Sequence, residues 1–124
     1  MIIEQIVIDW LKNDKNLHDV TISADMPARD NARVITVEQI GASIGNVTDA
    51  WTLTINGYAS TRYECSKLMH TLIVPRLSIL YQIPVVADYQ INAIAHYPDP
   101  GPPVRERYTL TLLITTSKPQ PTQF

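Results

Sequence analysis

The chain has 124 residues, 10 Lys+Arg against 12 Asp+Glu and a formal charge of -2, with 45% hydrophobic and 7% aromatic residues. That length fits one domain and excludes two, and a chain of this size buries enough surface to fold without a metal or disulfide staple. The single cysteine, Cys65, excludes an internal disulfide framework and points to a reducing compartment, and the near-zero net charge excludes the basic footprint of a nucleic-acid wrapper.

The N-terminal residues lack the basic start and unbroken apolar core of a signal peptide, because Glu4 and Asp9 interrupt the run. No segment is apolar enough to span a bilayer, so a soluble protein without membrane contact is expected. Charged residues make up only 18% of the chain, while Thr, Asn, Gln and Ser are plentiful, so part of the surface is a candidate for contact with protein. Residues 1 to 59 carry four bases and eight acids, and residues 60 to 124 carry six and four. Such opposite halves either pair between subunits or form two mixed solvated faces.

Residues 2 to 13 place Ile3, Ile6, Val7, Trp10 and Leu11 on one stripe and predict an amphipathic helix. Ile8 lies off the stripe and reads as an exposed apolar residue or a contact for a neighbouring chain. Leu17 to Ser23 alternates as a short strand, stopped before Pro27. A second strand is predicted over Arg33 to Ile40, ending at Gly41. The segment from Gly41 to Asp49 has two glycines and no periodicity, and predicts a mobile loop. Trp51 to Tyr58 alternates strictly and predicts a third strand, with Gly57 marking a bulge or the strand end.

Thr61-Arg62-Tyr63-Glu64 has the form of a capping box and opens a helix at about residue 62. Its apolar face runs through Cys65, Leu68, Met69, Leu72 and Ile73. Pro75 predicts a kink, and Pro84 closes the segment. Tyr89 to Tyr97 and Arg105 to Thr116 predict two strands paired as a hairpin across a proline-rich turn. The expected fold is α+β, a single antiparallel or mixed sheet of about five strands with two helices on one face, in the order α-β-β-β-α-β-β. The domain is expected over residues 1–116, with a flexible tail over 117–124.

Little in the sequence points to catalysis, a cofactor or a metal. His18 reads as a strand start, His70 as mid-helix and His96 as the polar face of a strand. Cys65 falls on an apolar helix face, where a neutral buried thiol is favoured. Asp88 and Asp99 fall in loops without an obvious partner, and no phosphate-binding or nucleophile-elbow motif occurs. The chain is therefore expected not to be an enzyme. The prolines from Pro98 to Pro103 read as a stiff hairpin corner, and Arg105 and Arg107 beyond them either contact a neighbour's carboxylates or are simply solvated.

A first amphipathic helix, a strand closed by Pro27, Val34-Ile35-Thr36-Val37-Glu38 running to glycine and a helix entered at Ser60-Thr61-Arg62 precede Tyr97-Pro98-Asp99-Pro100. Together with Arg107-Tyr108-Thr109-Leu110-Thr111-Leu112, these resemble the tail terminator, or tail completion, proteins of long-tailed bacteriophages and prophages. The resemblance covers nearly the whole chain and departs from the family at Pro75, Pro102 and Pro103. It implies a structural virion protein: a homohexameric ring that caps the tail tube, ends its polymerisation and forms the joint to the head connector. The implied partners are the chain itself, the major tail tube protein and a head–tail connector protein, with DNA passing through the ring without sequence-specific recognition. The implied location is the virion tail, and the host cytoplasm during assembly. Gly41, Ser43, Ile44, Gly45, Asn46, Asp99, Arg105 and Arg107 are the candidate contact residues. A neck or head–tail connector protein, or a small-molecule-binding α+β module, are the alternatives.

Overall fold

A computed structural model of the chain describes residues 2–25, 33–98 and 106–118. The first helix, α1 (Ile3–Lys12), buries Ile3, Val7, Ile8 and Leu11. Ile8 is only 4% exposed, which corrects the expectation of an exposed residue. The buried arc of α1 is wider than the stripe, and Trp10 instead sits at its half-buried rim. A 3-10 turn at Lys15–Leu17 follows, capped by the Asp14 carboxylate, which accepts from the Asn16 amide at 3.0 Å. It shortens the predicted strand to β1 (Thr21–Ser23).

The sheet contains β2 (Arg33–Ile44), β3 (Thr48–Ala59), β4 (Val86–His96) and β5 (Glu106–Ser117), in the spatial order β1-β2-β3-β5-β4. β1 pairs parallel to β2, and every other pairing is antiparallel. The fold is therefore α+β with a mixed five-stranded sheet, as the sequence predicts.

The second helical segment consists of α2 (Arg62–Lys67), a π-helical stretch (Leu68–Ile73) and α3 (Val74–Leu77). The Thr61 hydroxyl accepts from the Glu64 amide at 3.1 Å and caps the start. The irregularity expected at Pro75 takes the form of the wide π turn just before it. That turn places Pro75 in the first turn of α3, and the helical path runs on through Ile73 and Val74, whose dihedrals stay helical.

One core joins both helical segments to one face of the sheet. Ile3, Val7, Leu11, Leu68, Met69, Ile73, Leu77 and Leu80 pack with Ile35, Val37, Leu53, Ile55, Leu110, Leu112 and Ile114. The sheet residues in that set recur at i, i+2, as a half-buried strand requires. The opposite face carries Thr36, Thr52, Thr54, Asn56, Thr109, Thr111 and Thr115, a polar surface joined by the charged Glu38, Arg107 and Asp88.

Two local features differ from expectation. The predicted loop from Gly41 to Asp49 is mostly strand: β2 runs on to Ile44, β3 begins at Thr48, and Gly45, Asn46 and Val47 make the turn. The Gly45 amide donates to the Thr48 carbonyl at 3.0 Å and to the Asp49 carboxylate at 3.2 Å. Pairing with β3 overrides the weak strand preference of Gly41, Ala42 and Ser43. Gly57 is neither a bulge nor an end. It sits inside β3, opposite Ile35 and Tyr108.

The tail boundary also moves. Ser117 pairs with Thr48, and the Lys118 amide donates to the Val47 carbonyl at 3.0 Å, so neither residue is loose. The remainder of the predicted tail lies outside the described residues.

Candidate functional site

The predicted contact residues fall in two places. Gly41, Ser43, Ile44, Gly45 and Asn46 are gathered at the end of the β2–β3 arm, where Ile44 is 65% and Val47 63% exposed. Arg107 lies on β5 opposite Tyr58, which in turn faces Val34, so it belongs to the other end of the sheet. Ten residues of strand separate the two ends, about 33 Å. Asp99, Arg105 and the proline turn lie outside the described residues.

Around Arg107 the bare sheet face forms an open polar depression of about 520 Å³, lined by Glu4, Asp25, Thr36, Glu38, Asn56, Tyr58 and Arg107. The Arg107 guanidinium donates through Nε to the Tyr97 carbonyl at 2.9 Å. Glu4 reaches from α1 and accepts from the Gln39 amide at 2.7 Å. Acids of the N-terminal half thus share this depression with a base of the C-terminal half. Lys118 likewise pairs with Asp49 at 3.2 Å, so part of the charge asymmetry is satisfied within one subunit. Arg33 holds the Asp19 carboxyl below its usual range by a direct hydrogen bond.

A second cluster was not legible in the sequence. His96, predicted on the polar face, lies opposite Tyr108 on the helix-covered side. The cause is a bulge at Ala93, whose φ of 40° places it in the left-handed region. The bulge adds one residue, so Ile91 and Ile94 both face the core side and the parity of His96 reverses. His96 Nε2 contacts the Glu106 carboxylate, and its ring lies 5.1 Å from that of Tyr108, centre to centre. His70 meets the same tyrosine edge-on at 6.2 Å. Tyr108 beside Arg62 strengthens that guanidinium's hold on its proton.

Beneath this cluster Cys65 is fully buried, and its thiol donates to the Gly57 carbonyl at 2.9 Å. Burial pushes the thiol up to about 11 from 9.0, so it stays protonated at neutral pH. Among the described residues, no three His, Cys, Asp or Glu side chains converge as a metal site. Asp88, predicted in a loop, is an exposed residue of β4 whose carboxylate accepts from the Tyr89 amide at 2.8 Å. His18 sits in a turn, with Nδ1 2.8 Å from the Lys15 carbonyl.

The thiol yields a pH prediction. Its folded value lies above its unfolded one, so the protonated form stabilises the fold fully below pH 9 and this contribution is lost as pH rises through about 11. Chemical denaturation at pH 8 and pH 11 is expected to differ by about 2 kcal/mol from this group. A Cys65→Ala variant should lose that part of the difference. Equal alkaline sensitivity in the variant would show that other groups cause it.

No protein-family model and no curated protein matches the chain.

Proposed function

We propose that the chain is a structural protein that closes into a ring on the end of a phage tail tube, stops the tube's growth and presents a joint to the head connector. The observation that carries the reading is the combination of the family-like motifs with the surface of the fold. Both helical segments cover one face of the sheet, and the other face is broad and polar, rich in Thr, with its charged groups Glu38 and Arg107 gathered at one end and Asp88 on the β4 edge. Side chains such as Thr, Asn and Gln lose less on burial against protein than charged groups do, because neutral hydrogen bonds replace those to water. The β2–β3 arm adds exposed Ile44 and Val47 at one end of the same sheet. Two unlike patches on one subunit are what a closed cyclic ring needs.

Electron microscopy of the protein alone and with purified tail tubes tests the reading. Rings in concentrated solution, or a cap at one end of each tube with tube length arrested, are the expected results. A two-fold dimer at all concentrations, with bare tube ends, would overturn it.

Arg107 supplies a separate check, because the residue is half-buried and its guanidinium donates to the Tyr97 carbonyl. Arg107→Ala is expected to lower stability by about 1 kcal/mol and to weaken ring formation further than that loss explains. Light scattering at matched folded fractions separates the two effects. Wild-type assembly by the variant would remove Arg107 from the contact surface.

The open depression on the bare face is the place where a small polar ligand would lodge if the chain were a binding module. A ligand-dependent rise in Tm, abolished by Arg107→Ala, would favour that second reading.

A further inference from the structure

We infer that copies of the chain join edge to edge, the outer half of β2 in one copy pairing antiparallel with the outer edge of β4 in the next. This assignment rests on the ring reading and specifies which surfaces meet.

β1 covers β2 only from Val34 to Thr36. Glu4 then takes up the outward amide of Gln39. Beyond that point, among the described residues, no strand pairs with residues 40–44 on the side away from β3. At the far edge of the sheet, among the described residues, β4 pairs with β5 alone.

Neither edge is guarded by Lys or Pro, although each carries a β-bulge and the Tyr89 amide of β4 is taken up by the Asp88 carboxylate. Edge strands of soluble proteins are commonly guarded by Lys or Pro, which disfavour pairing with a second chain. Residues 39–44 of β2 and 86–96 of β4 contain no Lys, Arg or Pro.

The two edges also match in level and direction. Through the ladder, Gln39 is level with Leu53, Leu112 and Ile91, and Ile44 is level with Asp49, Thr116 and Val86. Residues 39–44 of β2, free from residue 40 onward, and residues 86–91 of β4 are therefore each six residues long at the same height. Each contains one irregularity, between Gln39 and Gly41 on β2 and between Val86 and Asp88 on β4. Three antiparallel steps separate β2 from β4, so they run in opposite directions. A second copy in the same orientation thus presents residues 86–91 of its β4 antiparallel to the free stretch of β2, with its helices on the same side. Its Ala95 and His96, level with the Thr36 and Ile35 that β1 already pairs, turn away at the Ala93 bulge. The sole charged residue in the two facing stretches, Asp88, is level with uncharged Ser43, so no like charges meet. The contact joins unlike edges and repeats head to tail, closing into a ring where the rotation allows.

Cysteine cross-linking of the full chain tests this. Ser43 and Asp88 are both exposed, and the native Cys65 is buried away from either edge. Ser43→Cys and Asp88→Cys proteins are mixed at high concentration, treated with oxidant or a short bismaleimide, and mapped by mass spectrometry. The expected result is a 43–88 cross-link between copies, favoured on the order of tenfold over either homodimeric product, as a heterologous contact requires. The double variant should give a covalent ladder ending at the ring. Rings without a 43–88 cross-link would overturn the edge pairing and leave the ring reading standing. Dominant 43–43 or 88–88 products would overturn it in favour of a two-fold contact. Failure of the wild-type chain to assemble, with or without tail tubes, would overturn both readings.

Discussion

Replacement of Gly57 by valine is expected to destabilise the domain by about 2 kcal/mol, seen as a fall in Tm of about 8 °C. A Cβ at Gly57 would stand 2.5 Å from Met69 Sδ, 3.0 Å from Met69 Cγ and 3.3 Å from Ile35 Cδ1. Met69 and Ile35 are both fully buried, so the added carbons have no free volume to enter. Overpacking of this kind costs about 1 to 3 kcal/mol, and the better strand preference of valine returns about 1 at most. The same strand position anchors the helix a second way, since the Gly57 carbonyl accepts from the Cys65 thiol.

Gly57→Ala is the milder test, because the methionine side chain can bend. Combined with Met69→Ala, it should lose less stability than the two single losses together, with a coupling of about 0.5 kcal/mol or more. Strict additivity would show that Met69 is not the obstacle and that the glycine is there for the backbone.

The strong periodic signals in the sequence correspond to the elements of the fold. Alternation at Trp51, Leu53 and Ile55 marks β3, and the spacing of Ile3, Val7 and Leu11 marks α1, because burial on one face leaves a period that sequence alone records. The capping box at Thr61 is legible for the same reason, being purely local chemistry. What was missed depends on partners or parity. The β2–β3 turn had a signal, Gly45-Asn46 between two strand-like runs, but the small residues before it concealed the strand until β3 supplied its hydrogen bonds. His96 had no such signal. A bulge at an alanine with positive φ reverses which residues face inward, and nothing in the local composition announces it.

The role of Arg76 was equally hidden, since its partner lies 66 residues away. In the sequence Arg76 simply follows Pro75, with nothing local to mark a partner. In the structure its Nε donates to the Trp10 carbonyl at 2.9 Å, while Trp10 Nε1 donates to the Arg76 carbonyl at 2.9 Å. The guanidinium carbon also lies 3.8 Å from the centre of the indole ring. The arrangement fastens the last turn of α1 to α3, and the positive group sits where the α1 dipole favours a cation.

Arg76→Ala is expected to cost about 3 kcal/mol, because it removes a charged hydrogen bond and a partly desolvated cation–π interaction at once. Arg76→Lys should recover little, because an ammonium cannot both stack flat on the indole and donate sideways. Trp10→Phe keeps the ring and removes one donor, and should cost about 1 kcal/mol. Urea denaturation measures all three. If Arg76 acted instead as a basic contact between subunits, Arg76→Ala would leave the monomer's urea midpoint unchanged and weaken assembly alone. The reciprocal bonds to Trp10 predict the reverse: a large loss in the monomer, and an assembly defect that disappears when wild type and variant are compared at equal folded concentration.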